Sequence, residues 1–412
     1  MPHPEAIRAQ TTPEDGALFS VGLKNSKWVP EPHIAFTEDL RQINRTDLGE
    51  VRLGTQLIIP IEKTCTLIED VHFRFTPPAL TPAGGATYTR YVDFLALALI
   101  TRIRWSYGSN TLQEYSMLHQ FQEYEEFSDE KRANYEYLTG GGLTAAARNT
   151  YAVDPYELTV KIPTPWIDKR CHSPCISALA NKLTLTIDFA FPSAVVQTDG
   201  TKPASLSLTG CALDYQQIHF TGHTRQELTA ITNGKNGISY LYDDVGNMSF
   251  QVAQNYFRNT GNEFVQELRD IDGPISKMMI TIRTQDSLDP TSTDPAPYEI
   301  DSTFLDGLSY RIVSNNMDLQ DPESQLIDQV VKIDKFIECR YDTQHVLILW
   351  AEFPKIKNCA SGNLTFGNFT NPKLLLKNPS LNANHPALDV SISYYRHNWL
   401  VHQRGVIQKV WR

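Results

Sequence analysis

The sequence predicts an all-β protein built from β-sandwiches or barrels. Aromatic residues make up 10% of the 412 residues, which is typical of strand-rich proteins. Short apolar stretches, punctuated by Thr, Ser and Asn, recur along most of the chain. Clusters of Gly, Pro, Asn and Asp separate these stretches, as turns separate strands. Short strands at such spacing are typical of sandwiches and barrels.

Alternation of side chains gives the clearest strand prediction, at residues 183–189. Leu183, Leu185, Ile187 and Phe189 would face the core, because neighbouring side chains of a strand point to opposite faces. Similar patterns predict strands at Val71–Phe75, Leu206–Leu208, Met278–Arg283 and Val390–Tyr394. Two fully apolar runs predict strands covered on both faces, at Val346–Trp350 and Leu374–Leu376.

One long stretch, Leu112–Leu138, predicts one or two helices instead of strands. It is rich in Glu, Gln, Tyr, Leu and Met and contains no Gly or Pro. Ser128 can cap the second helix, and Gly140 is placed to end it. A helical segment within a series of strands is a short insertion in the first unit.

The chain divides into an arm and two units of comparable size. Residues 1–45 are polar with scattered prolines, which predicts an arm that is ordered by contact with another molecule. A stretch without clear periodicity, Thr221–Gly237, lies near the middle of the chain. We therefore expect a first unit over 46–225 and a second over 226–412.

Charge and cysteine content limit the classes of function. Lys and Arg total 37 against 47 Asp and Glu, giving a net charge of −10, so we expect no direct nucleic-acid binding, which needs clustered cations. The longest apolar run, Phe94–Ile100, is far shorter than a membrane span, and the N-terminus lacks signal-peptide features. Six cysteines in 412 residues are typical of reduced, unpaired thiols.

Two groups of residues resemble metal ligands without matching a known spacing. Thiol and imidazole groups in zinc-like order occur at Cys171, His172, Cys175, His219 and His223, but nothing in the sequence brings the two ends together. Carboxylates suited to calcium are found at Asp286, Asp289, Asp294, Asp301 and Asp306, without the fixed spacing of an EF-hand. We expect no metal and no cofactor, with sandwich-core thiols in the first case and a solvated loop in the second.

Three common linear signatures of catalytic or phosphate-binding sites are absent from the sequence. It contains no phosphate-binding Gly loop, no His-Glu-x-x-His and no Gly-x-Ser-x-Gly. A glycosidase-like acid/base pair could come from the helical segment, whose glutamates are Glu114, Glu123, Glu125 and Glu126. Stacking on sugar rings could come from Trp105, Trp166, Trp350 and Trp399. A solvated helix face and buried or subunit-contact aromatics explain these residues better, so we predict no catalytic residue.

Several segments, in order along the chain, carry a resemblance to one known family. In the first half they are Tyr91–Gly108, Glu126–Gly140, Ile162–Trp166, Leu183–Phe189 and Leu213–Tyr215 with Arg225–Leu228. In the second half they are Gly273–Ile280, Ala360–Leu374, and Tyr394–Leu400 with Arg404–Val406. In this order they resemble the double jelly-roll major capsid protein of icosahedral double-stranded DNA viruses, of the nucleocytoplasmic large-virus type and its smaller relatives.

The most extended match is Ala360–Leu374. It is similar to the family's Ser-Gly-x-Leu-Asn-Phe-Ser-x-x-Asp-Asn-x-x-Leu. The segment Glu126–Gly140 resembles the family's Glu-Lys-(Lys/Arg)-x-x-Tyr helix that ends in Gly. One departure precedes the second unit, where the family's Asn-His-Pro is replaced by Ile271-Asp272-Gly273-Pro274.

The resemblance implies two tandem eight-stranded jelly-roll β-sandwiches, with a short helical insertion in the first. It implies a structural protein, not an enzyme, that forms homotrimers and then pseudo-hexagonal capsomers of an icosahedral virion shell. The implied partners are the chain itself, neighbouring capsomers, minor capsid, penton or cement proteins, and an internal membrane reached by the N-terminal arm. The alternative left by the residues is a carbohydrate-active β-sandwich enzyme or lectin.

Overall fold

The structure is a computed structural model. It describes residues 40–166, 173–220, 222–235, 237–256, 263–271, 273–300, 309–314, 317–320, 347–350, 364–365, 370–377 and 385–410.

Ten strands of the first half form two four-stranded sheets and a short ribbon. The strands are β1 (Leu40–Arg52), β2 (Gln56–Ile61), β3 (Leu67–Thr76), β4 (Thr89–Tyr91), β5 (Ile100–Tyr107), β6 (Asn110–Tyr115), β7 (Leu158–Lys161), β8 (Leu183–Phe189), β9 (Val196–Thr198) and β10 (Ser207–His219). One sheet has the order β1-β10-β3-β7, the other β2-β8-β5-β6, and β4 pairs with β9. All of these ladders are antiparallel.

The second half repeats this arrangement with two further antiparallel sheets. Its strands are β11 (Ile238–Val252), β12 (Glu263–Glu267), β13 (Pro274–Thr284), β14 (Ser309–Ser314), β15 (Met317–Gln320), β16 (Leu347–Trp350), β17 (Leu364–Thr365), β18 (Lys373–Lys377), β19 (Leu388–Gln403) and β20 (Val406–Lys409). One sheet runs β11-β19-β13-β16, with β17 and β20 added at β13 and β19, and the other runs β12-β18-β14-β15.

Helices are short and concentrated in the first half. They are α1 (Leu95–Ala98), α2 (Met117–Glu125), α3 (Asp129–Thr139), α4 (Ala145–Val153), α5 (Pro192–Val195), α6 (Gly222–Asn233) and α7 (Gln285–Leu288), with a 3-10 turn at Ile176–Ala178. The predicted end of α3 is confirmed, since Gly140 adopts the left-handed conformation (φ 69°) that glycine tolerates best. Ser128 occupies the N-cap position of α3, but its side chain makes no capping hydrogen bond.

Each half buries its core between two sheets, so each is a β-sandwich. In the first sandwich Phe73 of one sheet packs against Phe189 of the other, with ring centroids 5.7 Å apart. In the second sandwich Phe250 stacks on Phe264 across the two sheets at 5.1 Å. The alternation predicted for β8 is confirmed, because Leu183, Leu185, Ile187 and Phe189 are all buried.

Three predictions about local structure are wrong. The helical segment starts too early in the prediction, because Leu112–Tyr115 belongs to strand β6, which pairs with β5 through a two-residue loop at Gly108 (φ 58°). Thr221–Gly237 contains helix α6 and is not merely a stretch without pattern. In β18 only Leu374 and Leu376 are buried while Leu375 is half-buried, so this strand is not covered on both faces.

Strands β13 and β19 are more buried than their sequence patterns predict. Their alternating patterns predict one exposed face, yet most side chains of both strands are buried. In β13, Met278 and Ile280 face the second sandwich's own core, whereas Met279 belongs to the apolar cluster of the first sandwich. The outer face of this sheet is therefore covered by the first sandwich, which periodicity alone cannot indicate.

Candidate functional site: the seam between the sandwiches

The two sandwiches are joined by a continuous apolar contact, here called the seam. The core cluster of the first sandwich extends into residues of the second half, namely Tyr242, Val245, Met279, Tyr298, Ile300, Tyr395, Leu400 and Ile407. An apolar interface of this kind opposes the relative motion that two loosely linked units would show.

Helix α2 lies at the centre of the seam. It begins after Ser116, whose side chain accepts a hydrogen bond from the Leu118 amide, and nearly all of its side chains are buried. A helix buried on all sides needs partners for its polar groups. Gln122 of α2 supplies one such contact, since its Nε2 donates to Thr281 Oγ1 on β13 at 2.8 Å. Just before the helix, Gln113 Nε2 donates to the carbonyl of Val245 at 2.8 Å.

A buried ion pair crosses the seam next to α2. The Lys277 ammonium on β13 lies 3.0 Å from Glu126 Oε1 and 4.2 Å from the ring centroid of Tyr395 on β19. Burial by itself lowers the pKa of Lys277, but the carboxylates of Glu126, Glu123 and Asp243 outweigh it and raise the pKa above its usual value. Lys277 therefore stays charged within the seam.

His119 of α2 makes a second polar contact across the seam. Its Nδ1 lies 2.6 Å from the hydroxyl of Tyr395, and its Nε2 faces Glu123 Oε1 at 3.7 Å. The ring of Tyr115 stacks on the imidazole with centroids 5.7 Å apart. Burial raises the pKa of Tyr395 well above its usual value, so its hydroxyl stays protonated. The acceptors within reach of this hydroxyl are His119 Nδ1 and Glu123 Oε1, the latter 3.4 Å away.

At one end of the seam, Gly405 approaches the first sandwich closely. Its carbonyl accepts hydrogen bonds from the Tyr107 hydroxyl at 2.5 Å and from the Ala180 amide at 2.8 Å. Gly405 has φ 76°, and a Cβ there would lie 3.1 Å from the carbonyl oxygen of Ala178. Only glycine fits this position without strain.

At the other end, the loop 286–297 docks on the first sandwich. The Asp294 carboxylate accepts a hydrogen bond from the Tyr88 hydroxyl at 2.8 Å and lies 3.6 Å from Nη2 of Arg90. The amide of Thr198 donates to the carbonyl of Thr293 at 3.0 Å. Asp286, Asp289 and Asp294 are exposed, but the loop itself is a strap across the seam and not a free excursion. Asp301 and Asp306 lie outside the described residues.

Each glutamate considered for glycoside hydrolysis contacts a side chain that can carry a positive charge. Glu114 lies 3.0 Å from Arg104, Glu125 3.3 Å from Arg132, Glu126 3.0 Å from Lys277, and Glu123 3.7 Å from His119. These carboxylates serve strand pairing, helix packing and the seam. The tryptophans considered for sugar stacking also pack internally: Trp105 and Trp166 meet edge to face at 5.1 Å, and Trp399 is buried. The surroundings of the Trp350 side chain are not described.

The residues considered for zinc are not brought together where they are described. Cys175 is buried in a small apolar cluster with Ile218 and Phe220. His219 follows Ile218 on β10 and points to the other face, where Gln42 Nε2 donates to its Nε2 at 3.1 Å. Outside the described residues or side chains lie Cys171, His172 and His223. Elsewhere in the described parts of the chain, no group of His, Cys, Asp or Glu is arranged to hold a metal ion.

The described cysteines carry free thiols. Cys65, Cys175 and Cys211 are all buried and unpaired, which confirms the prediction for these three. Burial raises the pKa of Cys65 to about 12 and that of Cys211 to about 11. Among the described helices, none has the length and apolar character needed to cross a membrane.

Solved structures share this arrangement of two sandwiches over nearly their full length. The PBCV-1 virus capsid protein matches with TM-score 0.65 at 13% identity, covering 92% of this chain and 98% of that chain. The Faustovirus major capsid protein matches with TM-score 0.63 at 10% identity, covering 94% and 97%. A chain of the Sputnik virophage structure matches with TM-score 0.53 at 10% identity, covering 93% and 90%.

The chain has the double jelly-roll fold. The predicted fold class is thereby confirmed, while the prediction of eight strands in each jelly roll stays a prediction because parts of the second half lie outside the described residues. No protein-family model matches the sequence, and no curated protein matches it. The likeness to these proteins therefore lies in the fold and not in the sequence.

Sequence reasoning did not identify the seam. Its polar members, such as His119 and Lys277, are far apart in the chain and belong to different units. One signal was present, since the side of α2 away from Phe121 and Tyr124 carries His119 and Gln122. Buried polar groups on a helix indicate partners that accept or donate hydrogen bonds, but the sequence does not indicate which strand supplies them.

Proposed function

We propose that this protein is a major capsid protein, the structural building block of an icosahedral virion shell of a double-stranded DNA virus. The observation that carries the proposal is the match over 92–94% of the chain to capsid chains that are themselves covered to 90–98%. The match extends over both halves of the chain, which supports a role built on the pair of jelly rolls. The protein is then located in the virion, as part of its capsid.

Assembly follows from the shape of two sandwiches fixed side by side. We propose that three chains form a homotrimer whose six jelly rolls make a near-hexagonal tile. The seam supports this, because apolar packing and polar contacts at both ends hold the two jelly rolls in one orientation.

The boundaries of the parts are also a proposal: an arm over 1–45, a first jelly roll over 46–225 and a second over 226–412. Support comes from strand pairing, since no described ladder joins a strand of 40–219 to a strand of 238–409. Strand β1 begins at Leu40, and helix α6 crosses the proposed boundary between the jelly rolls. The arm would reach neighbouring proteins or an internal membrane, and minor capsid, penton or cement proteins would be further partners.

We infer a structural role and no enzymatic activity. The glutamates that could serve a glycosidase each contact a basic or imidazole side chain, which supports this inference. The acidic net charge of −10 supports a shell that does not bind the packaged nucleic acid directly.

The test is the mass of the purified full chain by size-exclusion chromatography with light scattering. One chain has a mass of 46.6 kDa, so a trimer has about 140 kDa. We expect the trimer mass, with a hexagonal outline in negative-stain images. A 46.6 kDa monomer that binds glycans or releases reducing sugar from them would overturn the proposal in favour of a carbohydrate-active protein.

A further inference from the structure

One sheet of the second sandwich turns a patterned face away from the core. It runs β12-β18-β14-β15, and its side chains that point into the core are Phe264, Leu374, Leu376 and Ile312. Because neighbouring side chains of a strand point to opposite faces, the alternate residues form the outer face. On β12 these are Glu263, Val265 and Glu267, here called the acidic column. On β18 they are Lys373, Leu375 and Lys377, here called the basic column.

The two columns, together called the outer patch, lie side by side with an apolar pair at their centre. Val265 is opposite Leu375 in the strand register, and Val265 is 45% exposed while Leu375 is half-buried. Glutamates lie on both sides of Val265 and lysines on both sides of Leu375, and three of these four charged residues are exposed. An apolar centre within a charged rim is the composition of a protein interface.

Pairing within the sheet explains only part of this pattern. The register places Glu263 opposite Lys377 and Glu267 opposite Lys373. Glu267 also lies 3.2 Å from Arg269. Cross-strand pairs of opposite charge stabilise a sheet modestly, but they do not need an exposed apolar pair between them. Because apolar surface is unfavourable in water, a second surface that covers this pair gains free energy.

The outer patch is complementary to itself under one two-fold axis. The axis lies in the plane of contact, between β12 and β18 and parallel to both, and it places the acidic column of each copy over the basic column of the other. Each glutamate then faces a lysine of the second copy, and Val265 faces Leu375. A two-fold axis across the strands would instead place Glu263 over Glu267, so the charges select the first orientation. Arg311, exposed on β14, then lies beyond the β12 edge of the second copy and does not oppose the basic column.

We propose that the outer patch is a two-fold contact between two copies of this chain. A three-fold axis joins unlike surfaces, whereas this patch joins to itself, so in a shell it would link chains of different trimers. That last step rests on the proposed function, while the contact itself does not. Six side chains on each copy are far fewer than the roughly 20–30 residues that each side of a stable complex contributes. The contact is therefore weak between two free molecules and gains strength where many chains lie side by side.

The experiment crosslinks glutamate to lysine in the full chain with a water-soluble carbodiimide. Unlabelled and heavy-nitrogen protein are purified separately, mixed at about 1 mM total chain and crosslinked, so a peptide pair with both labels joins two separately assembled molecules. We expect mixed-label pairs between the acidic and the basic column. Glu62 and Lys182, which lie 2.6 Å apart within one chain, are the control and should give same-label pairs only.

A charge-reversal variant tests the role of the rim. Glu263→Lys with Glu267→Lys puts lysines in both columns, and we expect its association constant from sedimentation at the same concentration to fall about tenfold. The matched control is Glu62→Lys with Glu157→Lys, which changes the net charge equally on the first sandwich. It should associate as the wild type does.

Exchanging the two columns completes the test. A variant that adds Lys373→Glu and Lys377→Glu to the two substitutions of β12 should restore the association constant to within about twofold of the wild type. The contact is refuted by same-label pairs alone between the columns, by mixed-label pairs at the Glu62 control, or by a column exchange that leaves association weak. The mass in size-exclusion chromatography decides the proposed trimer separately, because the outer patch is not needed for it.

Discussion

His402 on β19 is completely buried, and its environment opposes a positive charge. Its side chain has no exposed surface, and neither ring nitrogen has a hydrogen-bond partner among the described residues. Burial lowers the pKa of His402 from 6.5 to about 4. The folded protein therefore keeps this histidine neutral at pH values where an unfolded chain would protonate it.

The cost in stability follows from these two pKa values. Between pH 6.5 and 4 the unfolded chain binds the extra proton, so the folded state loses stability as the pH falls through this window. At 1.36 kcal/mol for each tenfold change, the fall from 6.5 to about 4 corresponds to a loss of about 3 kcal/mol, most of which is present at pH 4. Above pH 7 His402 contributes no such loss.

The perturbation that tests this is His402→Leu, measured from pH 7 to pH 4. We expect the free energy of opening of β19, obtained from hydrogen exchange of amides 400–403, to fall by about 3 kcal/mol less in this variant than in the wild type. His72→Gln provides a control, because His72 lies on β3 of the first sandwich and its ring Nδ1 lies 2.9 Å from the Asp70 carbonyl oxygen. The reasoning fails if His402→Leu loses as much stability in acid as the wild type and the His72 control do.

Two further predictions concern packing and thiols. A Cβ on Gly246 of β11 would overlap the ring of its cross-strand neighbour Tyr394. Gly246→Ala should therefore destabilise the second sandwich by about 1–3 kcal/mol and lower its melting temperature, whereas Ser249→Ala on the same strand should not. Equal melting temperatures of the two variants would contradict the overlap. In the native protein the three described thiols should resist iodoacetamide at pH 8, because burial raises their pKa values, and after denaturation without reductant all six cysteines of the chain should be alkylated. Any cysteine that stays unlabelled under denaturing conditions would show that it is paired. The three described thiols are Cys65, Cys175 and Cys211.

Local patterns in the sequence are sufficient for elements whose environment follows their own periodicity. Strand β8 has one buried and one largely polar face, and its alternating side chains predict both its bounds and its orientation. Helix α3 ends at Gly140 because the left-handed conformation needed there is the one that glycine adopts most easily. The order of short motifs along the chain was also enough to indicate a double jelly roll.

The seam depends on tertiary structure. Strand β13 alternates as a half-exposed strand would, yet α2 and its neighbours cover the outer face. Whether Glu126 is a solvated helix charge or half of a buried ion pair depends on Lys277, which lies about 150 residues further along the chain. The same holds for the loop at Asp294, whose composition predicts a solvated excursion, while its contact with Tyr88 makes it a strap. Periodicity reports how a segment divides its own two faces, but it carries no information about which distant surface will cover the exposed one.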